Sequence, residues 1–248
     1  TGVQTCALPI SMGTMIQGYK LTEKDFRGNL ELLQMLNYQG NNDMLNLSRP
    51  DIIEDIHRRY LEVGADIIST NTFSAQRVSQ ADYHMESFSR DIAYAGAKLA
   101  RKCADEYSTT DKPRYVAGSI GPTNKTCSMS PDVSDPAKRD LTYDALFDAY
   151  SEQVAAMIEG GIDAVLIETI FDTLNAKVAI DATLSEVKKA GIDLPIMLSV
   201  TITDLSGRTL SGQTLDAFLA SISSYPIFSV GLNCSFGAEQ MRPYLKEL

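Results

Sequence analysis

The chain has 248 residues, 44% hydrophobic and 22% charged, which suits one large α/β domain with a full core. Its formal net charge of −10 argues against proteins that bind nucleic acid or anionic membranes, because both need a basic face. The four cysteines are scattered, as in a reduced protein rather than a small disulfide-rich one. No secretory signal or membrane-spanning run is evident, so we expect a cytoplasmic protein.

The predicted strands, in chain order, follow a repeated pattern of apolar runs that turn polar only at their ends. Such runs are typical of parallel strands buried on both faces. We interpret Met12-Gly13-Thr14 as the end of a first strand. Five further strands are predicted at Ile67–Thr72, Tyr115–Ile120, Ala164–Thr169, Ile196–Thr201 and Ile227–Cys234.

Amphipathic helices are predicted between these strands, because apolar residues recur every three or four positions. The predicted stripes begin at Ile52, Phe88, Leu146, Leu174 and Leu215. Glycines at the helix-to-strand joins, namely Gly64, Gly161 and Gly191, are expected to end helices in the left-handed conformation.

Strict βα alternation leaves two architectures: a (β/α)₈ barrel or an open doubly wound sheet. No Gly-x-Gly-x-x-Gly phosphate loop follows an early strand, and the polar strand ends would surround one mouth of a barrel. We therefore predict an α/β fold of the (β/α)₈ TIM-barrel type. About six βα units are counted, which predicts a barrel truncated after the sixth.

Two strand ends carry candidate chemistry. Glu168, at the end of an apolar strand, is suited to bind an ammonium group or handle a proton; the alternative is a structural, ion-paired glutamate. Cys234 could be a nucleophile or a zinc ligand, or else a small buried apolar residue. Both histidines are interpreted as surface or packing residues, and Cys103 as core.

The glycine-containing turn at 118–123, Gly-Ser-Ile-Gly-Pro-Thr, is a third candidate. Its backbone could approach a ligand closely and its amides could hold a carboxylate. The alternative is a tight βα turn without a binding role.

Several segments together resemble the homocysteine-binding domain of cobalamin-dependent methionine synthases. The resemblance rests on 12–17, 37–43, 65–73, 117–123, 166–169 and 231–235. These are shared in part with other homocysteine methyltransferases, whereas 124–133, 141–143 and 206–213 resemble the cobalamin-dependent branch in particular.

The resemblance implies a site and a mechanism. In the family, three cysteine thiolates hold zinc, and the zinc-bound homocysteine thiolate attacks the methyl group of methylcobalamin, which is regenerated from 5-methyltetrahydrofolate on other domains. By match, Cys234 is one metal ligand and Glu168 binds the substrate amino group, with Ser119, Thr72 and Asn233 completing the substrate site. The product would be methionine, and the partners would be the cobalamin-binding and folate-binding domains of a parent chain.

The resemblance also implies domain limits. Residues 12–248 would be an incomplete homocysteine-binding barrel, inactive by itself because the other two zinc ligands are not among its matched positions. Residues 1–11 match nothing in the family, and an artefactual origin is one hypothesis for them. Two alternatives stay open: a stand-alone homocysteine methyltransferase with another methyl donor, and a non-catalytic truncated barrel.

Overall fold

The structure is a computed structural model that describes residues 12–30, 35–203, 206–233 and 236–248. The predictions made for residues 1–11 and for Cys234 fall outside the described residues. The strands are β1 (Ile67–Ser69), β2 (Tyr115–Ile120), β3 (Ala164–Ile170), β4 (Ile196–Val200) and β5 (Ser229–Leu232). The helices are α1 (Met12–Gln17), α2 (Glu23–Arg27), α3 (Leu45–Ser48), α4 (Pro50–Glu62), α5 (Arg77–Gln80), α6 (Ser89–Tyr107), α7 (Tyr143–Gly160), α8 (Thr173–Ala190), α9 (Leu215–Ile222) and α10 (Ala238–Glu247).

The five described strands form one parallel sheet in the consecutive order β1-β2-β3-β4-β5. Consecutive order places every right-handed crossover on the same face of the sheet, as in a barrel, whereas a doubly wound sheet reverses its order at a switch point. Helices α4, α6, α7, α8 and α9 pack against one another in that sequence. The predicted α/β class with barrel-type winding is therefore confirmed.

The prediction that a first strand ends at 12–14 is wrong. Met12–Gln17 is helical, and its Ile16 is buried in the core, with α1 packed against α4. A short apolar run has no period that separates helix from strand, and here contact with α4 decides the outcome. The described residues accordingly contain five strands rather than six.

Glycine ends the main helices as predicted. Gly161 follows α7 with φ 95° and Gly191 follows α8 with φ 66°, and both amides return to carbonyls of the last turn. Gly64, after α4, has φ 102°. Glycine reaches this region without the steric cost that a Cβ would impose, so each helix can stop abruptly and deliver the next strand.

The two faces of the sheet are buried by different groups. Val165 and Ile167 of β3 belong to the large core shared with the helices, while Ala164 and Leu166 belong to a small second cluster on the opposite face. Successive strand residues point to opposite faces, so this alternation defines an outer, helix-covered face and an inner face. Cys103 is fully buried in the outer core, as predicted.

No helix in the described ranges combines the length and the apolar character that crossing a membrane requires. The helices are amphipathic instead, each burying one stripe against the sheet or its neighbours.

His57 lies on the buried stripe of α4 and is completely inaccessible to solvent. Neither ring nitrogen has a hydrogen-bond partner among the described residues. Burial disfavours the charged imidazolium and lowers the pKa of His57 to about 4. The prediction of a packing histidine is confirmed for this residue, and its burial gives the fold an acid-sensitive position.

His57 should lower the free energy of unfolding as the pH drops from 6.5 to 4, because the unfolded chain binds a proton at this residue that the folded chain does not bind. This depressed pKa corresponds to about 3 kcal/mol across that window. In urea unfolding followed by circular dichroism, His57→Leu should gain stability relative to the wild type as the pH drops through this window. His84→Gln, at an exposed position, is the control and should keep the wild-type slope. An unchanged slope in His57→Leu would contradict the assignment.

Candidate functional site

The inner face of the sheet ends in polar side chains. Leu166 points inward, so Glu168, two residues later, points the same way above it. Ser119 of β2 pairs in register with Leu166 and lies above inward-facing Ala117. These positions bring Glu168 and Ser119 together at the carboxyl ends of neighbouring strands, where barrel enzymes build their sites.

β3 contains a bulge at the position of Glu168. The register with β4 shifts between Ile167 and Ile170, and Thr169 adopts φ 59°. A β-branched residue in the left-handed region is strained, and such strain persists only where surrounding contacts hold it. Asn233, after β5, supplies one such contact, because its Nδ2 donates to Thr169 Oγ1 at 2.9 Å. Bulges beside active sites commonly re-aim a side chain.

Glu168 is hydrogen-bonded to Ser119. The Ser119 hydroxyl donates to Glu168 Oε1 at 2.6 Å. Desolvation raises the pKa of Glu168 above its ordinary value, and the Ser119 hydrogen bond opposes that rise by stabilising the carboxylate. The result is a carboxyl group poorly solvated by water, which a bound cation would stabilise in its ionised form.

A cavity of about 740 Å³ opens in front of this pair. Its lining includes Ser119, Glu168, Asp43 and Asp82, and among the described residues that line it none is lysine, arginine or histidine. Such a wall favours a ligand with a positively charged group. A single amino acid fits easily in this volume.

Asp43 is a buried acid in the cavity wall. It is 5% exposed, and its Oδ1 accepts a hydrogen bond from the Ser74 amide at 2.9 Å. Desolvation dominates over this bond and raises the pKa of Asp43 to about 7. The carboxyl group therefore changes charge near neutral pH, inside the wall of the candidate site.

Thr72 and Asn233 lie behind the cavity rather than on its surface, since the described lining residues include neither. Thr72 is fully buried and donates to the Ser119 carbonyl at 2.7 Å. Asn233 accepts from Thr201 Oγ1 at 3.0 Å and donates to Thr169. Their predicted contact with substrate stays a prediction; in the structure both support residues that line the cavity.

The glycine-containing turn at 118–123 uses its amides within the protein. The Ser119 amide donates to Thr70 Oγ1 at 2.9 Å, and the Gly121 amide donates to the Phe73 carbonyl at 2.9 Å. A Cβ on Gly118 would lie 2.9 Å from Ile162 and 3.1 Å from Met157 of α7, so this glycine permits close packing of α7 and the sheet. The amides of Ser119 and Gly121 are therefore not available to hold a ligand carboxylate, contrary to expectation.

The described residues do not form a metal centre. No three side chains from His, Cys, Asp and Glu come together suitably anywhere in the described ranges. Cys103 and Cys127 are buried and unbridged, and Cys103 lies in the helix-covered core. Because a zinc site needs at least three protein ligands, the described residues do not fit one by themselves. The zinc prediction depends on Cys234, which lies outside the described residues.

The model of the homocysteine S-methyltransferase family matches residues 11–248. The chain belongs to this family.

Solved structures with the same fold include three of the homocysteine methyltransferase MmuM from Escherichia coli. The metallated form has a TM-score of 0.69 at 19% identity, covering 93% of this chain and 74% of that one. The oxidized form has a TM-score of 0.66 at 19% identity, covering 90% and 71%. The apo form has a TM-score of 0.59 at 22% identity, covering 82% and 68%. At these identities the similarity establishes a shared fold.

Two residues in or behind the cavity wall were not among the candidates of the sequence analysis. Asp43 sits in a polar run, Asn41-Asn42-Asp43, whose burial nothing local indicates. Gln153 occupies a core-facing position of α7, between Tyr150 and Val154. This position of a polar residue on an apolar stripe was the one feature of the sequence that could have pointed to it. A glutamine on an apolar stripe needs hydrogen-bond partners, and these come from strands distant in sequence.

Proposed function

We propose that the chain is the homocysteine-binding domain of a cobalamin-dependent methionine synthase, and that its cavity binds the substrate of the methyl transfer. One observation carries the substrate assignment: in a member of the homocysteine S-methyltransferase family, the desolvated Glu168 carboxylate faces a cavity whose described lining residues include no basic side chain. The assignment to the cobalamin-dependent branch rests on the sequence segments 124–133 and 206–213.

The chemistry of the site follows from its charges. Glu168, oriented by the Ser119 hydroxyl, would accept the homocysteine ammonium group, and the ion pair would form in a poorly solvated setting where it is strong. With the amino-acid end held, the side-chain thiol would lose its proton, and the resulting thiolate would take a methyl group to become the thioether of methionine. Methylcobalamin, recharged from 5-methyltetrahydrofolate on partner domains, would supply that methyl group.

Calorimetric titration with homocysteine and with N-acetylhomocysteine tests the binding proposal. Acetylation removes the positive charge but keeps the thiol and the carboxylate. Homocysteine should bind at least tenfold more tightly, since one charge-assisted hydrogen bond is worth about 1.5–3 kcal/mol. Equal affinities for the two compounds, or no binding of homocysteine, would contradict the proposal.

Zinc is expected to be held weakly by residues 1–248. Of the family's ligands only Cys234 is proposed here, and the described residues supply no three-ligand group. After dialysis, metal analysis should give well under one zinc per chain, and methionine formation should be negligible with methylcobalamin or S-methylmethionine as donor. Stoichiometric zinc would overturn this expectation, and turnover with S-methylmethionine alone would favour the stand-alone enzyme.

A further inference from the structure

A closed ring of hydrogen bonds lies directly behind the candidate site. Ser119 N donates to Thr70 Oγ1 at 2.9 Å, the two threonine hydroxyl oxygens are 2.6 Å apart, and Thr72 Oγ1 donates to Ser119 O at 2.7 Å. All three residues are at most 3% exposed. The ring joins the segment after β1 to the end of β2.

Which hydroxyl donates in each hydrogen bond of the ring depends on the number of hydroxyl hydrogens available. Each threonine hydroxyl has one hydrogen. With Thr72 donating to Ser119 O, a stronger acceptor than the Met157 sulfur 3.3 Å away, Thr70 donates to Thr72. All three hydrogen bonds of the ring then form together, and the ring ties the main chain of Ser119 to both threonines.

Gln153 of α7 clamps this ring from the helix layer. Its Nε2 donates to Thr72 O at 2.6 Å and to Ser119 O at 3.2 Å, and the residue is 1% exposed. One carbonyl belongs to the segment after β1 and the other to β2, so one amide nitrogen holds the two at a fixed spacing. Ser119 in turn presents its hydroxyl to Glu168.

We propose that Gln153 is a positioning residue: by fixing the main chain of Thr72 and Ser119, it keeps the Ser119 hydroxyl on the Glu168 carboxylate. The consequence for substrate affinity rests on the proposed function, in which Glu168 binds the homocysteine ammonium group. The effect on Glu168 itself does not.

The cost of this arrangement argues against a purely structural role. Gln153 sits among Tyr150, Val154 and Met157 on the buried stripe of α7, where an apolar side chain of equal length would pack. Its Oε1 has no hydrogen-bond partner among the described residues. A buried unsatisfied acceptor costs about 1–3 kcal/mol. A residue placed for stability alone would not carry that penalty.

The Glu168 carboxyl titration, followed by NMR with ¹³C-labelled glutamate, tests the proposal. Glu168→Gln identifies the signal. In Gln153→Met the Glu168 pKa should rise, because the Ser119 hydrogen bond that holds it down becomes misaligned. Thr72→Val, which opens the ring with little change of shape, is the second variant and should shift the titration in the same direction.

Gln80→Met is the matched control. Gln80 lines the cavity and is 1% exposed, and its amide nitrogen also donates to two acceptors outside the ring, Ser74 O at 2.9 Å and Asn41 Oδ1 at 3.2 Å, so it is the control for the titration alone. This variant should lose stability yet leave the Glu168 titration in place. Homocysteine affinity should fall about fivefold or more in Gln153→Met.

The outcomes separate the two proposals. An unshifted Glu168 titration in folded Gln153→Met and Thr72→Val proteins overturns the positioning role and leaves the proposed function standing. A shifted titration in a protein that never binds homocysteine supports the positioning role and overturns the proposed function.

Discussion

Glu168→Gln should weaken homocysteine binding by about 10- to 100-fold, measured by calorimetric titration at neutral pH. The substitution keeps the shape of the side chain and an acceptor for Ser119, but removes the negative charge that the ammonium group would meet. Loss of one charge-assisted hydrogen bond, at about 1.5–3 kcal/mol, sets the size of the effect. The affinity for N-acetylhomocysteine, which lacks the positive charge, should hardly change in the same variant.

The same variant should be more stable than the wild type at neutral pH. Burial raises the folded-state pKa of Glu168 above its ordinary value, so the wild type loses stability as the pH rises and the buried group ionises. Glutamine carries no charge, and the advantage should vanish below the ordinary glutamate pKa. Weaker binding together with greater stability would be the signature of a functional carboxylate.

Glu159→Gln is the control for both measurements. Glu159 lies on α7, with its side chain 55% exposed beside Arg90. Exposed ion pairs of this kind contribute little, so neither affinity nor stability should change by more than a few tenths of a kcal/mol. If Glu168→Gln behaved like Glu159→Gln, Glu168 would be a structural residue and the substrate assignment would fail.

Asp43→Asn should stabilise the protein by about 4 kcal/mol above pH 7. In the unfolded chain Asp43 ionises near its ordinary pKa of 3.8, whereas burial raises the folded value to about 7. Between these values the folded state binds the extra proton, so stability is greatest at low pH and is lost as the pH rises toward 7. At 1.36 kcal/mol per pKa unit, the window amounts to about 4 kcal/mol.

The asparagine variant retains an oxygen that can accept the Ser74 amide and loses the titrating proton. In urea unfolding from pH 4 to 8, this variant should gain stability relative to the wild type as the pH rises. Asp82→Asn, at an exposed position elsewhere on the cavity wall, is the control and should keep the wild-type profile. Identical profiles for wild type and Asp43→Asn would show that Asp43 is ionised and solvated, contrary to its burial.

Much of the scaffold could be predicted because its signals are local. The apolar run at Tyr115–Ile120 coincides with β2, and glycines 161 and 191 end helices as expected. Strand C-terminal ends gather at one edge of a parallel sheet, so Glu168 could be placed at a barrel mouth from its position alone. The exception, Met12–Gln17, is too short for its period to be read.

The supporting residues could not be predicted, because their roles depend on partners far along the chain. Gln153 acquires its role from carbonyls 81 and 34 residues away, at Thr72 and Ser119. Asp43 acquires its pKa from burial against the segment that contains Ser74. Desolvation and hydrogen bonding over such separations have no periodic trace in the sequence.

The amino-acid order therefore established the α/β class, the parallel strands, the family and the candidate carboxylate, since periodicity, capping and motif are properties of neighbouring residues. Only the packed molecule decided which side chains surround Glu168, with the Ser119 hydroxyl on its carboxylate and the bulge at Thr169 beside it. Orientation and charge state depend on the summed contacts and lost solvent around each atom, and those exist only once remote segments have come together.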